Sequence, residues 1–285
     1  MITLNLANAG NSDIAYKINR FPDGQSGVEL TGQMPEEPQP VTIKTRLNSF
    51  IDLEILLCAT AMLRNQGFKE TDVYIPYFLG ARSDRAFTEN GVNYLKQVIC
   101  PIINAQHYNS VTTLDPHSDV LEACLNNFRK QDNSVLFEAS LAAMNLLPPY
   151  DNVCLLAPDN GAVKKVNKTA DKFNIKQVSV ATKTRDVNGN ISNTEIFNLP
   201  EADDMRYIIV DDICDGGRTF TNLAQILKAA KPAAKLYLII THGIFSNGFN
   251  ALLNNFEQVF TTDSYKAIDT ADPALQGRII QFNIF

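Results

Sequence analysis

Most features that mark specialised protein classes are missing from this chain. Its 285 residues include five cysteines, an odd number, and none forms a C-x-x-C pair. No disulfide framework or cysteine metal knuckle is readable, so Cys58, Cys100, Cys124, Cys154 and Cys214 are expected as free thiols in a reducing compartment. The N-terminus, Met1-Ile-Thr-Leu-Asn5, has no basic segment and no long apolar stretch, so no secretory signal is visible. The longest uncharged apolar run, Ile55 to Leu63, is far short of the ~20 residues that span a bilayer. Basic residues are in deficit: 25 Lys and Arg stand against 31 Asp and Glu, a net charge of -6. A non-specific nucleic-acid binder needs a basic face to displace counterions, so that class is excluded. No G-x-x-x-x-G-K-[ST] loop occurs, and no G-x-G-x-x-G follows a strand, which removes P-loop and simple dinucleotide-binding folds. The expectation is a soluble cytoplasmic protein with no nucleic-acid or membrane partner. A phosphate-rich small ligand stays open, because local charge and bound cations override the global sum.

What is present is ample apolar material, 45% hydrophobic against 20% charged, enough for a packed core. The length suits two domains of roughly 140 residues. Short β-branched runs alternate with segments of helical period. Strands are expected at Val41–Leu47, Val73–Phe78 and Ser110–Leu114, with helices at Phe50–Asn65, Val92–Ile103, Leu121–Phe128 and Leu136–Leu147. After Pro148-Pro149-Tyr150 the pattern restarts. Strands follow at Val153–Leu156, Gln177–Ala181, Tyr207–Val210 and Leu236–Ile240, and helices at Val163–Phe173 and Thr221–Ala230. Near-continuous apolar strands alternating with helices predict parallel sheets covered on both faces. Two tandem α/β domains are expected, 1–148 and 149–285. Pro35–Pro40 reads as a loop, and Asp186–Asn193 as a polar turn or flap.

In open α/β sheets, ligands bind beyond the carboxyl ends of the strands. Acids follow three of them: Leu114-Asp-Pro-His117, Pro158-Asp-Asn-Gly161 and the run Val210-Asp-Asp-Ile-Cys-Asp-Gly-Gly-Arg-Thr219. Adjacent acids leaving an apolar strand repel unless a cation or sugar hydroxyls occupy them. Gly216-Gly217 permits close backbone approach, and Arg218-Thr219 opens a helix whose free N–H groups favour an anion. Carboxylates beside a phosphate cradle suit a ribose phosphate. Taken alone, His117 is an ordinary polar loop residue, Lys183 and Arg185 a solvated strand end, and Lys164-Lys165 a solvent-facing helix edge. His107 and His242 read as structural.

The Asp211–Thr219 run resembles the phosphoribosyl-diphosphate motif V-D-D-x-x-D-T-x-x-T, shared by type I phosphoribosyltransferases and ribose-phosphate diphosphokinases. Further motifs resemble the second family: Ile75-Pro-Tyr-Phe-Leu-Gly-Ala-Arg-Ser-Asp-Arg85, Phe21-Pro-Asp-Gly-Gln25, Leu114-Asp-Pro-His117, Ala157-Pro-Asp-Asn-Gly161 and Thr241-His-Gly-Ile-Phe-Ser246. They cover nearly the whole chain in the family's order. The resemblance implies two doubly wound domains of type I phosphoribosyltransferase-like architecture, the first serving ATP and subunit contacts, the second the ribose phosphate. It implies Mg²⁺-dependent transfer of the diphosphoryl group of ATP to the C1 hydroxyl of ribose 5-phosphate. By resemblance, Lys183, Arg185 and Arg82 are catalytic, and Phe21, Asp23, Gln25, Arg82, Ser83 and Asp84 bind ATP. Asp211, Asp212, Asp215, Gly216, Gly217, Arg218 and Thr219 bind the ribose phosphate, while His117, Asp159 and Asp211 sit at metal sites. A homo-oligomer, dimer or hexamer, is implied, because the Phe21–Gln25 hairpin lines a neighbouring subunit's adenine pocket.

Several positions depart from the family pattern. Gly216 stands where a Thr is usual and Arg218 where a Gly is, losing a hydroxyl donor, opening space and adding a guanidinium that binds phosphate bidentately. A larger acceptor such as ADP-ribose is the alternative these changes raise. Ser83 and Gln25 replace the usual Gln and Glu near the adenine. The R-G-x-D stretch of the regulatory anion site is absent around Pro35–Pro40, and the chain stops at Phe285, so weak or absent phosphate activation and ADP inhibition are expected. The competing classes are a phosphoribosyltransferase and a non-catalytic regulatory subunit of a synthetase. The retained Lys183, Arg185, His117 and motif acids speak against the latter.

Overall fold

The computed structural model describes residues 2–32, 39–185 and 191–285, with side chains at 183–185 and 191–193 excepted. The chain divides into two compact units, residues 1–132 with Phe285, and residues 133–284. No helix among the described residues is long and apolar enough to cross a membrane.

The first unit runs β1 (Ile2–Asn5), β2 (Tyr16–Arg20), β3 (Ser26–Leu30), β4 (Val41–Lys44), α1 (Phe50–Asn65) and β5 (Thr71–Tyr74). A π-helical turn (Leu95–Ile99) leads into α2 (Cys100–Asn104), then β6 (Ser110–Leu114), α3 (Val120–Cys124) and β7 (Phe128–Gln131). Five strands form a parallel sheet in the order β1-β4-β5-β6-β7, and β2–β3 is a separate antiparallel hairpin. Strand residues Leu4, Val41, Ile43, Val73 and Val111 are buried, as a parallel sheet demands. α1 begins where Ser49 Oγ accepts from Asp52 N (3.2 Å) and Asp52 Oδ2 accepts from Asn48 N (2.9 Å), a reciprocal cap. The helix expected over Leu121–Phe128 ends at Cys124 instead. Asn127 turns the chain through a left-handed φ of 54°, and Phe128 starts an edge strand paired with Val111.

The second unit runs α4 (Ser134–Ala143), β8 (Val153–Ala157), α5 (Val163–Phe173), β9 (Gln177–Arg185), β10 (Ile191–Phe197), β11 (Arg206–Cys214), α6 (Arg218–Ala230), β12 (Lys235–Gly243), α7 (Asn250–Leu253), β13 (Gln258–Thr262) and β14 (Ile279–Phe282). The sheet order is β10-β9-β8-β11-β12-β13-β14, parallel except for β10 on β9. Alternate residues of β11 enter two cores. Tyr207 and Ile209 pack with α6 residues Phe220, Leu223 and Leu227, whereas Ile208 and Val210 pack with Phe137 and Leu141 of α4 and Val166 of α5. The sheet is therefore covered on both faces, as expected. α4, expected within the first domain, lies in this second unit because its apolar face is buried against β12 and β13.

The chain leaves β8 for β9 in one direction, whereas β11, β12 and β13 are added in the other. The order thus reverses between β8 and β11, the topological switch point of an open α/β sheet. β8 pairs with β11 only as far as Leu156↔Ile209, while β11 stays paired with β12 to Cys214↔Gly243. The last residues of β11 therefore project past the end of β8, opening a crevice at the switch point.

Candidate functional site

The acids of β11 lie at this crevice. Asp212 is buried at 8% exposure, and its N–H donates to Asp211 Oδ1 at 2.9 Å. Burial pushes the Asp211 carboxyl well above the usual carboxylate range, the Asp212 charge raises it further, and Lys165 on α5 pulls it back. An acid pair held this way is poised for a cation or for sugar hydroxyls. Lys165, expected at a solvent-facing helix edge, is partly buried and acts on Asp211, whereas Lys164 beside it is exposed. Nothing in the local pattern separates the two lysines; only the packing of α5 beside the switch point does.

Beyond Cys214 the chain turns through Asp215, Gly216 and Gly217 into α6. Gly217 has φ +78°, and a Cβ there would lie 3.1 Å from Leu252 Cδ2, so glycine is required. Among the described residues, no hydrogen bond engages the N–H groups of Gly216, Gly217, Arg218 or Thr219; the first bonded ones are Phe220 and Thr221, both to Gly217 O. Four successive open donors at the start of a 13-residue helix form a cradle for an anion.

The loop after β12 closes over this turn. Ile244 N and Phe245 N donate to Cys214 O (2.9 and 3.1 Å), Ser246 N to Asp215 O (3.3 Å), and Ser246 Oγ to Asp215 Oδ1 (2.6 Å). Asn247 Nδ2 sits 2.7 Å from where a Cβ on Gly216 would be. The room expected from Gly216 is thus occupied by the carboxamide of Asn247, an exposed and movable side chain. Asn247 had no signal in its local sequence. Arg218 is exposed at the helix start and Thr219 partly so.

Other residues picked out in the sequence take varied places. In the second unit, Asp159 Oδ1 accepts from Ala162 N at 3.2 Å in the turn that precedes α5. Lys183 and Arg185 lie on β9, with backbone partners Thr194 and Ile191 on β10, but their side chains fall outside the described residues. The flap core, 186–190, also lies outside them, as do residues 33–38 of the expected Pro35–Pro40 loop. His242 is buried, as expected for a structural histidine. Its Nδ1 meets Ser264 Oγ at 2.8 Å, and that hydroxyl also lies 3.1 Å from Thr241 O.

In the first unit, Phe21, Asp23 and Gln25 form the exposed turn of the β2–β3 hairpin that the motif implied. Phe21 N donates to Gln25 O (2.9 Å) and Gln25 N to Asp23 Oδ1 (3.2 Å). Arg82, Ser83 and Asp84 follow β5 on a loop tied back by Ser83 N to Gly80 O (2.7 Å), Leu95 N to Ser83 O (3.2 Å) and Asn93 Nδ2 to Asp84 O (2.7 Å). Arg82 is exposed. His117 is exposed in the turn after β6, just beyond the buried Asp115 with its φ of 46°. Among the described residues, no three His, Cys, Asp or Glu side chains gather as a metal site.

Comparison with known proteins agrees with this geometry. Residues 139–248 match the family model described as phosphoribosyl transferase domain, from the middle of α4 through the loop that carries Asn247. The fold and its crevice thus define an α/β protein with a phosphoribosyltransferase-type domain. The ribose-phosphate pyrophosphokinase of Bradyrhizobium diazoefficiens is 27% identical over 262 residues, 90% of this chain and 80% of that protein. The one from Thermococcus kodakarensis is 28% identical over 246 residues, 85% of this chain and 82% of its own. A crystal structure of phosphoribosylpyrophosphate synthetase from Mycobacterium smegmatis superposes with a TM-score of 0.77, covering 97% of this chain and 88% of that one at 15% identity, a likeness of fold. Over most of its length the chain is thus similar to proteins named ribose-phosphate pyrophosphokinase.

Proposed function

We propose that this protein transfers the diphosphoryl group of ATP to the C1 hydroxyl of ribose 5-phosphate, giving phosphoribosyl diphosphate and AMP. The observation that carries this reading is the open N–H cradle at Gly216–Thr219 placed directly beyond Asp211 and Asp212 at the switch point. The cradle takes the 5′-phosphate, and the carboxylates take the ribose hydroxyls. The C1 oxygen forms its bond to the β-phosphorus as the bond from that phosphorus to the α-phosphate oxygen breaks, and AMP leaves with the electron pair. The hydroxyl proton passes to solvent. Negative charge spreads over the transferring oxygens, so the protein's work is alignment and cationic stabilisation. Lys183, Arg185 and Arg82 supply that charge, and the family pattern is the support for their roles.

Magnesium fits the oxygen donors of the acid motif. The raised, paired carboxyl of Asp211 is what a hard cation relieves, and Mg²⁺ commonly takes one or two carboxylates with the rest from substrate oxygens and water. Asp211, with Asp159 by resemblance, would hold it. When bound, it neutralises charge on the transferred phosphoryl groups. The exposed hairpin turn at Phe21, Asp23 and Gln25 supports a homo-oligomer whose active site is shared between subunits, with adenine as the hairpin's target.

The test is AMP release from ATP and Mg²⁺ in the absence of any nucleobase, across ribose 5-phosphate, ADP-ribose and ribose. Ribose 5-phosphate is expected to give the highest kcat/KM. AMP formation with no sugar acceptor but ADP-ribose would move the activity to a substituted ribose phosphate. Turnover only with phosphoribosyl diphosphate and a base would make it a phosphoribosyltransferase.

A further inference from the structure

We infer that Asn247 completes the phosphate cradle, its carboxamide standing in for a side chain at position 216 and donating to the sugar's 5′-phosphate. The inference deepens the ribose-phosphate reading of this site and rests on it. A Cβ at Gly216 would lie 2.7 Å from Asn247 Nδ2 and 3.4 Å from Asn247 Cγ, so the two positions compete for one volume. Gly216 is not among the residues with positive φ, so its backbone accepts an L side chain, which would have to push the Asn247 carboxamide aside. Gly217 differs, being held by its own φ of +78°.

The Asn247 side chain is exposed, but the loop that carries it is fixed by its surroundings. The four hydrogen bonds from Ile244, Phe245 and Ser246 to Cys214 and Asp215 stitch its loop onto the cradle. Phe245, at φ 48°, folds back until its ring fills the space beside Gly243, where a Cβ would clash. The amide itself is barely used within the protein. Among the described residues its one hydrogen bond is Nδ2 to Gly216 O at 3.4 Å, a long bond that leaves most of the donor strength available. Beside it lie the unengaged N–H groups of Gly216, Gly217, Arg218 and Thr219. An amide donor added to four backbone donors raises affinity for a phosphate monoester while adding no charge.

The experiment is a two-position cycle. KM and kcat for ribose 5-phosphate, at saturating ATP and Mg²⁺, are measured for the wild type, Asn247→Ala, Gly216→Thr and the double variant Gly216→Thr/Asn247→Gly. Loss of one hydrogen bond to a charged phosphate predicts a KM about tenfold higher in Asn247→Ala, with kcat within about twofold. Gly216→Thr displaces the amide and raises KM on its own. The double variant returns to within about threefold of wild type, because the threonine hydroxyl takes the vacated place. An unchanged KM in Asn247→Ala, or a double defect equal to the product of the single ones, overturns the inference. If the wild type releases no AMP with ribose 5-phosphate, the functional reading falls, and inorganic phosphate binding by calorimetry decides this one. Weaker phosphate binding in Asn247→Ala then supports it, and equal binding overturns it.

Discussion

The two units are built from the same local pattern, buried parallel strands joined by helices, yet they present chemistry differently. The first adds its strands in one direction, β1-β4-β5-β6-β7, and its sheet has no point where the order reverses. The residues proposed for its site, Arg82 and His117, stand exposed on loops beyond β5 and β6. The second reverses its order between β8 and β11, and there the acids lie on the strand itself, partly or wholly buried. A switch point lets a strand end escape one neighbour while the other still holds it. Charged groups can then be placed rigidly without being sealed from ligand. The second unit stores its chemistry in the sheet and the first hangs it on loops.

That contrast breaks most visibly at Asp211. Asp211→Asn is expected to lower turnover by about 10³-fold while raising the melting temperature of the ligand-free protein at neutral pH. The sign follows from its raised pKa in the fold. Such a group's favourable contribution is complete below the ordinary carboxylate pKa and is lost as pH rises through the raised value. Between those values the wild type should lose stability with pH relative to Asp211→Asn, as thermal melts over a pH series would reveal. A pH slope identical in both proteins would show that the acid pair carries no stored cost.

Arg82→Ala is the counterpart in the first unit. It should lower kcat/KM for ATP about 10²-fold, yet leave stability within about 0.5 kcal/mol, because the side chain is exposed on its loop. A large fall in stability would erase the distinction between the units.

The smallest effects come from buried hydroxyls. Ser264→Ala removes the buried hydroxyl that His242 Nδ1 meets and should cost about 1–3 kcal/mol in denaturant unfolding. Tyr108→Phe removes the hydroxyl contact to Thr60 Oγ1, 2.7 Å, but the Thr60 proton still goes to Leu56 O. Its cost should be about 1 kcal/mol or less, with turnover unchanged. Equal costs would mean that the strand-end network of the second unit is no more demanding than a helix-packing contact in the first.

Long periodic elements were readable from the sequence. The bounds expected for Phe50–Asn65, Ser110–Leu114 and Val163–Phe173 are those observed. Elements whose existence depends on pairing were not. Phe128–Gln131 is an edge strand of mostly exposed polar residues, Gln258–Thr262 has too short an apolar run to show a period, and Ile191–Phe197 exists by lying on β9. The site was legible to the same degree. Asp211, Asp212, Gly216 and Gly217 stand out by type and order, whereas Lys165 and Asn247 have no local mark.

Sequence alone determined which groups stand at each strand end, because hydrophobic period and turn chemistry act over a few neighbouring residues. Tertiary structure decided where the strand order reverses, which lysine meets the acid pair and what fills the space beside Gly216. Those outcomes depend on encounters between distant positions, such as Gly216 with Asn247, 31 residues apart, that no local pattern specifies.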